Sequence, residues 1–194
     1  MAYTTINKSG DYFNTKLWTG NDSAQSITGV GFQPDWTWIK CRSHGGNASF
    51  EHILTDAVRG VNKTLFSNST SSEVTNNSVG YLSAFGSDGF TVTGQDATSG
   101  NGRTYVGWNW KANGTGSANT DGTISSTVSA NTTSGFSIVK WTGNGSSGAT
   151  VGHGLGVAPK IVLIKTTSGA DAWTMLNTNI DLNKYLALNS TAAA

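Results

Sequence analysis

Apolar and polar residues alternate with a period of two along much of this chain, and no stretch sustains a helical period. Val106, Trp108 and Trp110 alternate with Tyr105, Gly107 and Asn109, as in a strand with one buried face. Phe13 to Trp18 and Trp36 to Cys41 carry the same strand-forming content. Tyr81 to Phe85 and Phe90 to Val92 flank Ser87-Asp88-Gly89, an Asp-Gly turn of the hairpin kind. Asp56 to Lys63 predicts one helical turn at most, and the C-terminal part adds strands at Phe136 to Trp141 and Ile161 to Lys165. Short strands punctuated by turns predict an all-β protein, an antiparallel β-sandwich or jelly roll.

The pattern occurs twice. Trp18-Thr19-Gly20-Asn21 returns as Trp141-Thr142-Gly143-Asn144. Gly29-Val30-Gly31-Phe32-Gln33-Pro34, running into Trp36 to Lys40, returns as Gly154-Leu155-Gly156-Val157-Ala158-Pro159, running into Ile161 to Lys165. Asn62-Lys63-Thr64-Leu65 returns as Asn183-Lys184-Tyr185-Leu186. The three anchors keep their order at offsets of 121 to 125 residues, which chance in a Ser/Thr/Asn-rich chain explains poorly. The organisation predicted is an arm at 1–11, a complete β unit at 12–111, a polar linker or strand at 112–134, and a second, incomplete unit at 135–194. The second copy has no equivalent of residues 72–111. Either the chain is part of a longer parent, or strands from elsewhere complete that unit. A sandwich short of strands exposes unpaired N–H and C=O groups, which a neighbouring subunit can pair by strand addition. The strand-capable arm, Ala2, Tyr3, Thr4, Thr5, Ile6 and Asn7, is the candidate donor. Head-to-tail donation does not close on itself and builds filaments of copies of the chain.

Composition narrows the function. Only 12% of residues are charged, against roughly 25% in ordinary domains. Polarity comes from Ser, Thr, Asn and 25 Gly, residues of turns and strand edges. A net charge of +1 with no basic block gives no phosphate-tracking surface, so no nucleic-acid partner is expected. No apolar run approaches the ~20 residues of a membrane helix, and the N-terminus lacks the basic and apolar regions of a secretory signal. The one cysteine, Cys41, lies in an apolar strand and is expected to be a buried thiol.

Several segments together resemble a known family. They are Met1-Ala2-Tyr3-Thr4-Thr5-Ile6-Asn7-Lys8, Trp18-Thr19-Gly20-Asn21, Gly29-Val30-Gly31-Phe32-Gln33-Pro34, Val58-Arg59-Gly60, Ser87-Asp88-Gly89-Phe90-Thr91-Val92 and Tyr105-Val106-Gly107-Trp108-Asn109-Trp110-Lys111. In combination the chain is similar to an uncharacterised repeat domain in structural, tail-fibre-like virion proteins of aquatic tailed bacteriophages. The resemblance covers nearly the whole chain and implies a concanavalin-like or jelly-roll sandwich in a particle or fibre. It supplies no catalytic residues.

Chemistry is sparse. His44, His52 and His153 show no metal-ligand spacing and read as loop histidines. No nucleophile elbow occurs, and Glu51 with Asp56 is the only carboxylate pair worth weighing for glycoside hydrolysis. Arg59 is expected to pair with Asp56 and pin a turn. The Gly-rich runs at 143–145 and 152–156 read as β-turns, since no Gly-Lys-Ser/Thr or helix follows. Ten Asn-x-Ser/Thr sequons follow from the composition. Asp88, Asp96 and Asp121, in Gly-rich loops, are the candidate ligands for calcium. Seven Trp exceed the ordinary need of a sandwich. Trp173, beside Asp171 in a polar turn, is the expected exposed glycan platform, with Trp36 and Trp38 sharing one strand face as further candidates. The expectation is a non-enzymatic structural subunit of a tail-fibre-like appendage or self-assembling extracellular filament. The alternative is a lectin-like module for cell-surface glycans.

Overall fold

The computed structural model describes residues 6–43, 50–179 and 184–191. Apart from one 3-10 turn at Ser9–Asp11, the regular structure of these residues is all strand. The first unit holds β1 (Phe13–Thr19), β2 (Gln25–Thr28), β3 (Trp36–Cys41), β4 (Ile53–Asp56), β5 (Lys63–Phe66), β6 (Val74–Thr75), β7 (Leu82–Gly86), β8 (Gly89–Val92) and β9 (Thr104–Trp110). A six-stranded sheet runs β1-β9-β3-β4-β5-β6, and a three-stranded sheet runs β2-β8-β7. Ile39, Ile53 and Phe66 of the large sheet pack against Ile27, Leu82, Phe90 and Val92 of the small one, so the unit is an antiparallel β-sandwich.

The unit closes through its last strand. β9 lies between β1 and β3, from Phe13↔Trp110 to Thr19↔Thr104 on one side and from Trp36↔Trp110 to Cys41↔Tyr105 on the other. Tyr105 is buried, which pushes its phenol up to about 12. Its hydroxyl donates to the Asp96 carbonyl at 2.6 Å and accepts from the Gly100 N–H at 2.7 Å. The Trp18 ring stacks on Tyr105 at 5.4 Å, meets Phe90 edge-on at 5.7 Å, and donates its indole N–H to the Thr98 carbonyl. Gly107 permits this packing: a Cβ there would stand 3.1 Å from the Phe90 ring and 3.2 Å from the Trp18 ring. Cys41 is a buried free thiol, as expected.

The turn after β4 is pinned as the sequence predicts. Arg59, with a side chain 8% exposed, binds Asp56 at 2.5 Å and Glu73 at 3.0 Å, and donates to the Leu54 carbonyl at 3.2 Å. One guanidinium therefore ties β4, the turn and the segment entering β6.

The second unit holds β10 (Ser117–Asn119), β11 (Ser126–Asn131), β12 (Phe136–Trp141), β13 (Ile161–Ile164), β14 (Thr174–Asn177) and β15 (Leu186–Ala187), in two three-stranded sheets, β10-β11-β12 and β13-β14-β15. The polar stretch read as linker or strand thus supplies β10 and β11, which pair onto β12. The repeat is structural down to single bonds. Trp36↔Asp56 becomes Ile161↔Asn177, and Leu54↔Leu65 becomes Met175↔Leu186. The bond from the His52 N–H to Asn68 returns from the Trp173 N–H to Asn189, and Ala57 N–H to the Asp35 carbonyl returns as Thr178 N–H to the Lys160 carbonyl. The units pack with the same faces inward: Trp36, Trp38, Leu54 and Leu65 meet Leu163, Trp173 and Leu188.

Replacing Arg59 by Ala is expected to cost about 3–5 kcal/mol in urea unfolding, because it strands the buried Asp56 carboxylate without its partner. Gly107→Val is expected to destabilise by about 1–3 kcal/mol through overpacking against Trp18 and Phe90, read in the same titration.

Candidate functional site

Corresponding positions of the two units differ in exposure, and the differences cluster. Phe32 is 4% exposed in the first core, whereas its counterpart Val157 is 68% exposed. Thr64 is fully buried, whereas its counterpart Tyr185 is 57% exposed. Trp18 is clamped by Tyr105, Phe90 and Thr98, whereas its counterpart Trp141 is 40% exposed. Trp18 is held by β8 and β9, and Phe32 shares the core cluster of Leu82, Phe90 and Val92, whereas Thr64 pairs with Val74 of β6. Among the described residues the second unit has no counterpart of those strands.

The consequence is an open strand position. β12 corresponds to β1, and β13 to β3. In the first unit β9 joins those two strands. In the second, among the described residues, β12 pairs only with β11 and β13 only with β14. Each strand therefore has one edge of main-chain donors and acceptors without a strand partner among the described residues. The inward face beside those edges is apolar, with Val139 on β12 and Val162 and Ile164 on β13 half-buried.

A row of aromatics lies under this opening. β3 and β9 place Trp36 opposite Trp110 and Trp38 opposite Trp108 on the outer face of the large sheet. Trp36 lies 4.6 Å from Trp110, and Phe136 of β12 stacks on Trp36 at 5.7 Å. Trp38 donates its indole N–H to His52 Nδ1 at 2.8 Å. Trp36 and Trp38, expected as glycan platforms, thus have protein groups against their rings. Trp173 corrects the sequence reading more sharply. It is 6% exposed, packs with Leu54 and Leu65, and donates its indole N–H to the Phe66 carbonyl at 2.8 Å. The polar turn around it hid that it spans the seam between the units. Trp108 is, with Trp36 and Trp110, one of three half-buried members of the row whose indole N–H groups have no hydrogen-bond partner among the described residues. Its strand alternation was visible in the sequence, but its open N–H was not.

The remaining candidates do not converge. Asp88 accepts main-chain N–H groups on both oxygens, from Gly31 at 2.6 Å and Gly29 at 2.9 Å. Those bonds, Gly31 first, hold its carboxyl below the usual range and make it a clasp on the hairpin turn. Asp96 pairs with Arg103 at 3.3 Å, and Asp121 accepts from Asn119 at 2.7 Å. Among the described residues no three His, Cys, Asp or Glu side chains gather in a metal-binding group. His153 accepts the Leu155 N–H, and His44 lies outside the described residues. His52 is no solvated loop histidine: burial first, and Lys40 second, push its pKa down. Of the arm, Ile6 is half-buried and Asn7 exposed, while Ala2, Tyr3, Thr4 and Thr5 lie outside the described residues.

His52 generates a pH prediction. Its folded pKa lies below the ordinary 6.5, so the neutral ring is the favoured form. The stabilisation is complete above that ordinary value and is lost as pH falls through the folded pKa, when Nδ1 can no longer accept from Trp38. Melting temperature measured from pH 7.5 downward is expected to fall over that window, and His52→Gln is expected to flatten the step.

No helix among the described residues is long and apolar enough to cross a membrane. No curated protein and no solved structure matches the chain. The profile of a family of domains of unknown function, DUF7483, matches residues 8–194, and with nearly its whole length covered the chain belongs to that family.

Proposed function

We propose that the protein is a structural subunit that assembles with copies of itself by β-strand pairing, in a tail-fibre-like appendage or an extracellular filament. The observation that carries this reading is the second unit: among the described residues β12 and β13 each leave one edge unpaired, where in the first unit β1 and β3 both pair with β9. An uncovered edge is a template for pairing with another chain, and soluble proteins normally blunt such edges. β13 carries no Pro and no charged residue, Ile161-Val162-Leu163-Ile164, so it has none of the usual blocks. The motif resemblance to virion fibre repeats points the same way. The proposed work is mechanical, with no catalytic step: main-chain pairing supplies direction, and apolar burial supplies the free energy.

Glycan recognition is the second reading, and Trp108 favours it. An indole face with an open N–H suits the apolar face of a pyranose and a hydroxyl acceptor.

Sedimentation and electron microscopy of the full chain over a concentration series test the first reading. Concentration-dependent head-to-tail oligomers or fibres are expected, and a chain that stays monomeric at millimolar concentration rejects it. Glycan-array binding that Trp108→Ala abolishes, in a chain that does not assemble, would instead establish the second.

A further inference from the structure

We propose that the hydroxyls of Thr55 and Thr64 bind a buried water molecule between β4 and β5, with the Thr37 hydroxyl as its third partner, and that this water carries the connection of the two strands onward from the point where their main-chain ladder stops. The site lies wholly within the first unit and is independent of the strand-pairing reading.

The inner face of the large sheet carries one polar rung beside its apolar side chains. Pairing sets Asn14 opposite Asn109, Asn109 opposite Thr37, and Thr37 opposite Thr55. One step on from Ile53↔Phe66 and Leu54↔Leu65, Thr55 comes level with Thr64. Ile39, Ile53 and Phe66, two residues along the same strands, belong to the sandwich core, so strand alternation turns the rung inward too. Asn109, Thr37, Thr55 and Thr64 are all buried. From Asn14 to Thr37 the rung is satisfied by protein groups. Asn14 Nδ2 donates to the Val30 carbonyl at 2.9 Å, and Asn109 Nδ2 donates to the Asn14 and Gly107 carbonyls at 3.1 and 3.0 Å. The Thr37 hydroxyl donates to Asn109 Oδ1 at 3.2 Å. Beyond Thr37 the pattern breaks: Thr55 Oγ1 and Thr64 Oγ1 are buried atoms with no hydrogen-bond partner among the described residues.

A buried hydroxyl without a partner keeps the full penalty of its lost hydration, and protein interiors meet that penalty with a protein group or an ordered water. The local backbone favours water here. The β4–β5 ladder stops at Leu54↔Leu65. From that point the Arg59 guanidinium spans the two strands, donating to the Leu54 carbonyl at 3.2 Å and to the Lys63 carbonyl at 3.4 Å. Thr55 and Thr64 therefore stand where the strands part, and both side chains are short. Directly opposed residues on paired strands have Cβ atoms about 4.5–5.5 Å apart. Parting strands hold two hydroxyls beyond each other's reach but within the span of two bonds of about 2.8 Å through one oxygen. A buried water typically makes about three hydrogen bonds. Thr55 and Thr64 supply two of them. Thr37 supplies the third as an acceptor, because its own proton is committed to Asn109.

Two measurements decide it. A high-resolution crystal structure of the full chain is expected to show one ordered water within hydrogen-bonding distance of both Thr55 Oγ1 and Thr64 Oγ1. No density between them, or the two hydroxyls bonded directly to each other, overturns the inference. This arm needs no substitution, so it decides even where a variant does not fold. In the second, Thr55→Val, Thr64→Val and the double variant are unfolded in urea. Valine keeps the shape and removes the hydroxyl. With a bound water each single change is expected to lower the urea midpoint, because the water and the remaining hydroxyl lose a partner. The double change is expected to cost less than the two singles added together, because both act on the same water. Dry hydroxyls have the opposite sign: each valine then removes an unpaired buried group and raises the midpoint. A rise with either single variant, or strict additivity of the pair, overturns the inference.

Discussion

The pairing of β9 between β1 and β3 is the interaction on which the rest of the first unit depends. It satisfies the main chain of three strands at once and delivers Tyr105 and Gly107 to the places that let Trp18 enter the core. It is also non-local: Phe13↔Trp110 joins the first strand of the unit to its last. The loop-closure entropy of that contact is paid before any bond rewards it. The segment leading into β9 is accordingly held at many points. Thr98 receives the Trp18 indole, Ser99 donates to the Ser23 carbonyl, and Asp96 receives the Tyr105 hydroxyl.

The same constraint, unmet, describes the second unit. Its β13, β14 and β15 reproduce the register of β3, β4 and β5, so a sheet of this sequence type forms without its closing strand. Its outer face finds a partner in the first unit through Leu163, Trp173 and Leu188, while Trp141, Val157 and Tyr185 do not. The chain therefore combines a closed sandwich with a second unit in which, among the described residues, β12 and β13 each pair on one side only.

With few charges, the protein uses its carboxylates largely as braces for the main chain. Asp88 clasps Gly29 and Gly31, buried Asp35 accepts the Ala112 N–H at 2.7 Å, and Asp56 accepts the Arg59 N–H at 2.8 Å. Each satisfies a turn donor that no strand reaches. His52 is similar: its Nδ1 accepts from the Trp38 indole N–H.

How much was legible in the sequence follows from how local each signal is. Alternation placed β1, β3, β9, β12 and β13 because apolar residues on a strand face report their own burial, and Asp88-Gly89 placed the β7–β8 turn because that dipeptide acts within one bend. Arg59 and Asp56 were readable for the same reason, lying within one turn. β2, β10 and β11 were not, since Gln, Ser, Thr and Asn sit on edges and in loops alike. By itself the sequence determined the all-β class and the duplication. Only the tertiary structure decided that β9 inserts between β1 and β3, that Trp173 is buried at a seam, and that Trp141 is left uncovered. Backbone edges pair by hydrogen bonds that carry no residue code, and a tryptophan's exposure depends on what another part of the chain lays over it.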